Sequence, residues 1–263
     1  MRALIDADSL LYKVGFAIED KTFWNEFDVE AGLEKEQDVT FSTDLNQCYY
    51  TFNAILDNIL FATDCDEALL VFTGGNNFRK SFPLEYKGNR KEARKPLGYS
   101  ELLDYAMMHY DIEITNGIEA DDLVVYLKTH SDEDFVLCAI DKDVLYQSEG
   151  THYNYNKDEE VTVTKWDSIK YAYYQTLTGD TSDGYKGCKG IGDKRARRIL
   201  HGLETEADLW AAVVETYEAA EQTEEEALWT MRLANMHQWN GSEIVLWNPP
   251  EPLSGNREEP KNT

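Results

Sequence analysis

A chain of 263 residues with 42% apolar and 12% aromatic residues has the length and core-forming material for one large α/β domain, or a domain with a small appendage, which excludes global disorder. No apolar run approaches about 18 residues and the opening Met-Arg-Ala-Leu-Ile-Asp reads as strand, so neither a membrane-spanning helix nor an export signal is expected, and a cytoplasmic, non-membrane protein is expected. The formal charge of −25 argues against nucleic acid only if it is evenly spread, and it is not.

Residues 3–5 read as a short buried strand ending at Asp6. Residues 19–43 are polar and aperiodic, as in an inserted loop. After Asp44, a natural N-cap, apolar side chains recur at helical spacing from Leu45 through Cys48, Phe52 and Leu56 to Leu60. Residues 68–72 form a second buried strand, and Ser100 can cap a helix carrying Leu102, Leu103, Ala106 and Met107. A strand at 111–114, a helix at 119–130 and a strand at 135–140 follow. Strands alternating with helices imply a mainly parallel central sheet covered on both faces. Beyond it, 151–155 and 161–164 suggest a hairpin, and everything from 165 onward reads as helix, with a capping box at Thr223 and Glu226. The expected boundaries are 1–164 for the α/β domain, 165–247 for a helical region and 248–263 for a mobile tail. Cys48, Cys65, Cys138 and Cys188 form no Cys-x-x-Cys pair and are expected to be reduced and structural.

Acids occupy the places where a sheet of this kind gathers function. Asp6 and Asp141 follow strands, and groups beyond the carboxyl ends of parallel strands share one crevice. Glu119 and Asp122 stand three apart at a helix start, with Asp121 between them; Asp143 follows Asp141, and Asp180 and Asp183 repeat the spacing of three. Taken singly, each is an ordinary cap or turn residue. Taken together they are hard to explain as punctuation. Two carboxylates about 4 Å apart repel by on the order of 4 kcal/mol at an effective dielectric near 20, so a cluster binds cations or takes up protons. Oxygen-only ligands favour magnesium or manganese, and two such ions suit phosphodiester hydrolysis.

The basic residues are concentrated. Seven face two acids between 79 and 95, and six face one between 186 and 198, while the remainder holds 12 basic and 47 acidic residues. Gly190-Ile-Gly192 within the glycine hairpin 187–192 opens a helix carrying Lys194, Arg195, Arg197 and Arg198, a combination able to hold a phosphate backbone. No Walker-type Lys-Ser/Thr follows, so a nucleotide P-loop is not supported. In the segment from Arg79 and Lys80 through Arg94 and Lys95, cations alternate with Phe82 and Tyr86, which could stack on unpaired bases.

With these residues assembled, the chain resembles the 5′ nucleases: phage 5′→3′ exonucleases, flap endonucleases and the 5′-nuclease domain of bacterial DNA polymerase I. The ordered series runs from Ile5-Asp6-Ala-Asp8 through Phe78-Arg79-Lys80, Tyr86-Lys87-Gly-Asn-Arg90-Lys91 and Glu119-Ala-Asp-Asp122. It continues through Asp141-Lys-Asp143 and Gly179-Asp180-Thr-Ser-Asp183 to Gly190-Ile-Gly192-Asp-Lys194, covering residues 1–202. The resemblance implies a PIN-like α/β fold with a helical arch over 76–98 and a helix–turn–helix DNA grip around the glycine hairpin. It implies Asp6, Glu119, Asp121 and Asp122 at a first metal, Asp141, Asp143, Asp180 and Asp183 at a second, and Lys87 and Arg90 at the scissile phosphate. Two magnesium or manganese ions are the implied cofactors, and the glycine hairpin of such enzymes can also hold potassium. The implied activity is 5′→3′ DNA exonuclease, with flap cleavage, on DNA 5′ ends, flaps or RNA–DNA hybrids, by a monomer in the host cytoplasm if phage-encoded. A PIN-type ribonuclease and a catalytically weakened DNA-binding relative are the alternatives. One departure stands out: relatives usually carry an aspartate just after the second strand, where Val71-Phe-Thr-Gly74-Gly has none. Asp8 is a candidate helper there, and Gly74→Asp is expected to tighten metal binding provided that the glycine does not hold a positive φ.

Overall fold

In a computed structural model, residues 1–24, 38–88 and 94–251 are described. The chain divides into two units, Met1–Asn77 with Arg90–Val163, and Phe78–Asn89 with Thr164–Thr263.

The first unit begins with β1 (Arg2–Asp6), α1 (Asp8–Ile18), β2 (Asp20–Trp24), β3 (Asp38–Ser42), α2 (Leu45–Thr63) and β4 (Glu67–Phe72). It continues with α3 (Tyr99–His109), β5 (Asp111–Ile114), α4 (Ala120–His130), β6 (Phe135–Cys138), α5 (Lys142–Tyr146), β7 (Gly150–Asn154) and β8 (Glu159–Val163). Six of these strands form one sheet in the order β5-β4-β1-β6-β7-β8, parallel except at the β7–β8 edge. Alternation along the strands separates its two faces. Ala3, Ile5, Leu70, Phe72, Cys138 and Tyr153 pack with Leu10, Val14, Phe52, Leu56 and Leu102 of α1, α2 and α3. The opposite face, with Leu4, is covered by α4, which packs on β1, β4 and β6. By the same alternation Asp6 lies on the Leu4 face, the side of α4.

Local chemistry accounts for several ends. The Asp44 carboxylate accepts from the amides of Asn46 and Gln47 and starts α2. By contrast α3 begins at Tyr99 after Gly98, whose φ is 78°, so a left-handed glycine replaces the expected Ser100 cap. The stretch expected as an aperiodic loop holds an antiparallel pair, Asp20↔Ser42 to Trp24↔Asp38. Its signal was hidden because the anchoring groups come from elsewhere: Arg94 reaches Glu19 at 2.5 and 2.7 Å and lies over the rings of Phe16 and Phe41. All four cysteines are buried and unpaired with one another.

The second unit contains α6 (Lys165–Thr178), β9 (Gly179–Asp180), β10 (Tyr185–Lys186), α7 (Asp193–Ile199), α8 (Glu206–Ala219) and α9 (Glu224–Ala234). Its core is built from Tyr173, Leu177, Leu209, Val213, Tyr217 and Met231, and the Tyr217 hydroxyl donates to the Thr176 carbonyl at 2.7 Å. The capping box at Thr223 and Glu226 is present. The expectation that everything from 165 onward is helix apart from the glycine hairpin is corrected here: an antiparallel β9–β10 ribbon also stands between α6 and α7, before the expected glycine loop. That ribbon closes tightly because Gly179, at φ 69°, lets the Gly187 amide pass where a Cβ would stand 2.3 Å away. Among the described residues no helix is long and apolar enough to cross a membrane.

Candidate functional site

In the first unit the expected acids occupy the carboxyl-terminal side of the parallel strands. Asp6 closes β1 and is 5% exposed. Glu119 is the N-cap of α4 and Asp122 its third residue; they form a capping box in which the Asp122 carboxylate accepts from the Glu119 amide at 3.0 Å. Exposure of these two is 7% and 1%, and Asp121 beside them is half-buried. Asp141 caps α5 by accepting from the Asp143 amide at 2.8 Å; Asp143 is 7% exposed. The capping reading and the functional reading therefore coexist, since one carboxylate oxygen can satisfy a backbone amide while the residue keeps its charge at the helix start. A cavity of about 310 Å³ lined by Met1, Asp134, Phe135 and Thr151 lies at the opposite, amino-terminal ends of β1, β6 and β7, away from these acids.

Hydrogen bonds tie this end of the sheet together. Both Asp8 oxygens lie within 3.2 Å of the Thr73 amide, and the Thr73 hydroxyl accepts from the Ala120 amide at 2.9 Å. The Tyr155 hydroxyl donates to the Asp6 carbonyl at 3.0 Å. Burial, and then the Asp6 charge, hold the Tyr155 phenol well above its usual pKa, so it remains a donor. Thr73 and Tyr155 carried no motif; the only sequence signal for Asp8 was its place two residues after Asp6.

Gly74 does not hold a positive φ, yet a Cβ there would stand 2.1 Å from the Thr115 carbonyl oxygen. The proviso on φ attached to Gly74→Asp is thus met, yet the Thr115 carbonyl just past β5 leaves no room for a side chain at that point. The expectation that this substitution would simply add a ligand is corrected.

In the second unit Asp180 forms a turn, accepting from the amides of Ser182 and Asp183 at 2.6 and 3.1 Å. Asp183 meets Lys87: the Lys87 amide donates to its carbonyl at 2.6 Å and the ammonium lies 3.6 Å from its carboxylate. The Tyr86 hydroxyl donates to the same carboxylate at 3.1 Å. Lys87 has φ 51°, a conformation costly for a non-glycine residue and kept only where the surroundings over-determine it.

The expected DNA-contacting residues divide sharply. Lys194, Arg195, Arg197 and Arg198 are exposed on α7 around the buried Ala196. Arg195 also donates to the Gly190 carbonyl at 2.9 Å, and Arg197 pairs with Asp193 at 2.7 Å. Gly190 has φ 74° and Gly192 is the N-cap of α7. Lys80 and Lys95 are exposed, the latter over the Tyr99 ring. Arg79 is a correction: it is 2% exposed, and its guanidinium donates to the carbonyls of Leu233 and Asn235. Phe82 and Tyr86 are likewise packed beside Tyr185 and Leu233 rather than presented for stacking. Arg94 serves Glu19, whose pKa that hydrogen bond lowers. Arg90 lies outside the described residues.

The donor set of the first unit fits a hard divalent cation: it is oxygen-only, acidic and largely buried, and buried carboxylates need compensating charge or hydrogen bonds. Among the described residues, no group of three or more His, Cys, Asp or Glu side chains is already gathered in ligating geometry.

The family model described as 5′-3′ exonuclease, N-terminal resolvase-like domain matches residues 1–173. The exonuclease of Escherichia phage T7 is 24% identical over 220 residues, covering 69% of this chain and 73% of that protein. DNA polymerase I of Caldicellulosiruptor bescii is 27% identical over 223 residues, covering 75% of this chain and 24% of the polymerase; the chain thus spans about a quarter of that relative's length. Among solved structures, the flap endonuclease of bacteriophage T5, in a pseudo-enzyme–product complex with DNA and metal ions, superposes with a TM-score of 0.65. That match has 16% identity and covers 90% of this chain and 89% of the other, a likeness of fold.

Proposed function

We propose, from the premise that the chain belongs to the family of the 5′-3′ exonuclease N-terminal resolvase-like domain, that it is a metal-dependent 5′→3′ DNA exonuclease that also cleaves flaps. The observation that carries this reading is the burial of Asp6, Glu119, Asp122 and Asp143, each under a tenth exposed, on the carboxyl-terminal side of a parallel sheet. Burying charged carboxylates together is costly, and a bound divalent cation lowers that cost.

Asp6, Glu119, Asp121 and Asp122 would hold one ion, and Asp141 and Asp143 would hold a second. Asp180 and Asp183 are proposed as further metal ligands. Divalent ions bound by such groups activate a water and neutralise the leaving oxygen of a phosphodiester. The protein's own part is positioning. The capping box fixes the Glu119–Asp122 turn, the Asp141 cap fixes Asp143, and Asp183 holds Lys87 for a substrate phosphate. The exposed cations of α7 and the glycine turn before it supply a sequence-independent grip on the DNA backbone. The DNA polymerase I relative supports DNA as the substrate.

The test is magnesium-dependent cleavage of 5′-labelled duplex, flap, circular single-stranded DNA and RNA, side by side. Linear duplex and flap should be cut and the circle spared. Asp141→Asn should lower turnover by about 100-fold or more while the fold is retained. Cutting of the circle or of RNA alone, or an Asp141→Asn enzyme with near-normal turnover, would sink the assignment.

A further inference from the structure

Two of the groups of buried acids in the first unit come from segments more than a hundred residues apart, Asp6 from β1 and Glu119–Asp122 from the start of α4. A short chain of hydrogen bonds joins them. Asp8 opens α1 two residues after Asp6, and both its oxygens, at 3.1 and 3.2 Å, accept from the Thr73 amide just beyond β4. The Thr73 hydroxyl, 2.9 Å away, accepts from the amide of Ala120, the first residue of α4, flanked by Glu119 and Asp121. The β4 end is held in place by its own neighbours: the Gly74 amide donates to the Thr115 hydroxyl at 3.4 Å, and that hydroxyl donates to the Ile118 carbonyl at 2.7 Å.

We infer that Asp8 is a positioning residue which, acting through Thr73, sets the distance between Asp6 and the Glu119–Asp122 turn. The inference rests on the metal-binding reading given above. Its physical basis is leverage. The Asp8 carboxylate oxygens accept from the Thr73 amide and so fix where the end of β4 lies. Thr73 passes the constraint to α4 because its amide and its hydroxyl are bound to different elements. Groups that orient metal ligands without touching the ion commonly change metal affinity 10–100-fold when removed.

What matters in this role is the acceptor oxygen rather than the full charge. Asp8→Asn keeps an oxygen facing the Thr73 amide, whereas Asp8→Ala removes it. Thr73→Ser keeps the hydroxyl that receives the Ala120 amide, whereas Thr73→Val removes it at nearly constant shape. Manganese binding to the full-length variants, measured by calorimetry without DNA, should weaken about tenfold in Asp8→Ala and Thr73→Val. The Asn and Ser variants should stay within about threefold of wild type. In cleavage assays the loss should fall on kcat, with KM for DNA nearly constant, because no DNA contact is removed. Near-UV circular dichroism and the melting temperature establish that each variant is folded; if Asp8→Ala is not, the Thr73 pair decides.

Folded Asp8→Ala or Thr73→Val proteins that bind manganese as wild type does would overturn the inference. So would an Asp8→Asn protein as weak as Asp8→Ala, since the negative charge itself would then be what the ion requires. A wild-type protein that binds no manganese would instead defeat the metal reading, a result distinguishable from both.

Discussion

At position 74 the smallest side chain would press on a backbone oxygen, 2.1 Å from an added Cβ. Backbone cannot swing aside as a side-chain tip can, so Gly74→Ala should destabilise by about 1–3 kcal/mol, the usual cost of overpacking, and Gly74→Asp by at least as much. Urea melts monitored by circular dichroism would show a lower midpoint for both; an unchanged midpoint would mean that the β4 and β5 ends part easily. A second residue-scale effect comes from His152, fully buried in β7 with Nε2 2.8 Å from the Ser148 carbonyl. A carbonyl only accepts, so Nε2 carries the proton. Burial is the main cause that holds the imidazole pKa below its usual value, with the Lys128 charge acting the same way and the Ser148 carbonyl opposing them. The unfolded chain therefore binds the extra proton first as pH falls below about 6.5. The stability contributed is complete above that pH and is lost as pH drops toward the lowered folded value. Comparing urea midpoints at pH 7.5 and 5.5 should show a smaller difference in His152→Phe than in wild type.

Among the elements, the β2–β3 pair is anchored by a distant residue. The Arg94 guanidinium lies 5.3 and 4.1 Å from the ring centres of Phe16 and Phe41 and makes two bonds to Glu19. A two-stranded pair alone is marginal in water, so this anchor should decide whether it stays formed. Arg94→Ala should speed amide exchange across Asp20–Trp24 and Asp38–Ser42 by about tenfold, and Arg94→Lys should restore little, because a point charge cannot form the fork. Exchange at the wild-type rate would mean that the strands hold without the cation.

Over the molecule as a whole, 50 acids against 25 basic residues repel DNA except where cations are concentrated and exposed. On α7 four cations are exposed, while Arg79, in the other basic segment, is buried. The Arg195→Ala, Arg197→Ala, Arg198→Ala triple variant should therefore lower the slope of log affinity against log salt. Each phosphate contact contributes about 0.9 to that slope on duplex DNA. Because Arg197 is already paired with Asp193, the expected loss is nearer to two such contacts than to three. Fluorescence anisotropy at several salt concentrations measures it, and an unchanged slope would place the DNA away from α7.

What the sequence by itself determined was whatever depends on neighbours within a few positions. The alternation of Leu4 and Ile5, the helical spacing from Leu45 to Leu60, the caps at Asp44 and Thr223, and the acids at strand ends all follow from periods of two and 3.6 and from local hydrogen bonds. The ordered acids and glycines carried the family resemblance for the same reason. The tertiary structure alone decided the rest. Whether Gly74 could carry a side chain depended on Thr115, and whether Arg79 faced solvent depended on Leu233 and Asn235. Glu19 claimed Arg94 from 75 positions away, and Thr73 gave Asp8 its partner at 65. A cation or carboxylate reads the same in a sequence whether it meets solvent, substrate or a buried carbonyl. Only the packing of distant segments, which sets its desolvation and its partners, chooses among them.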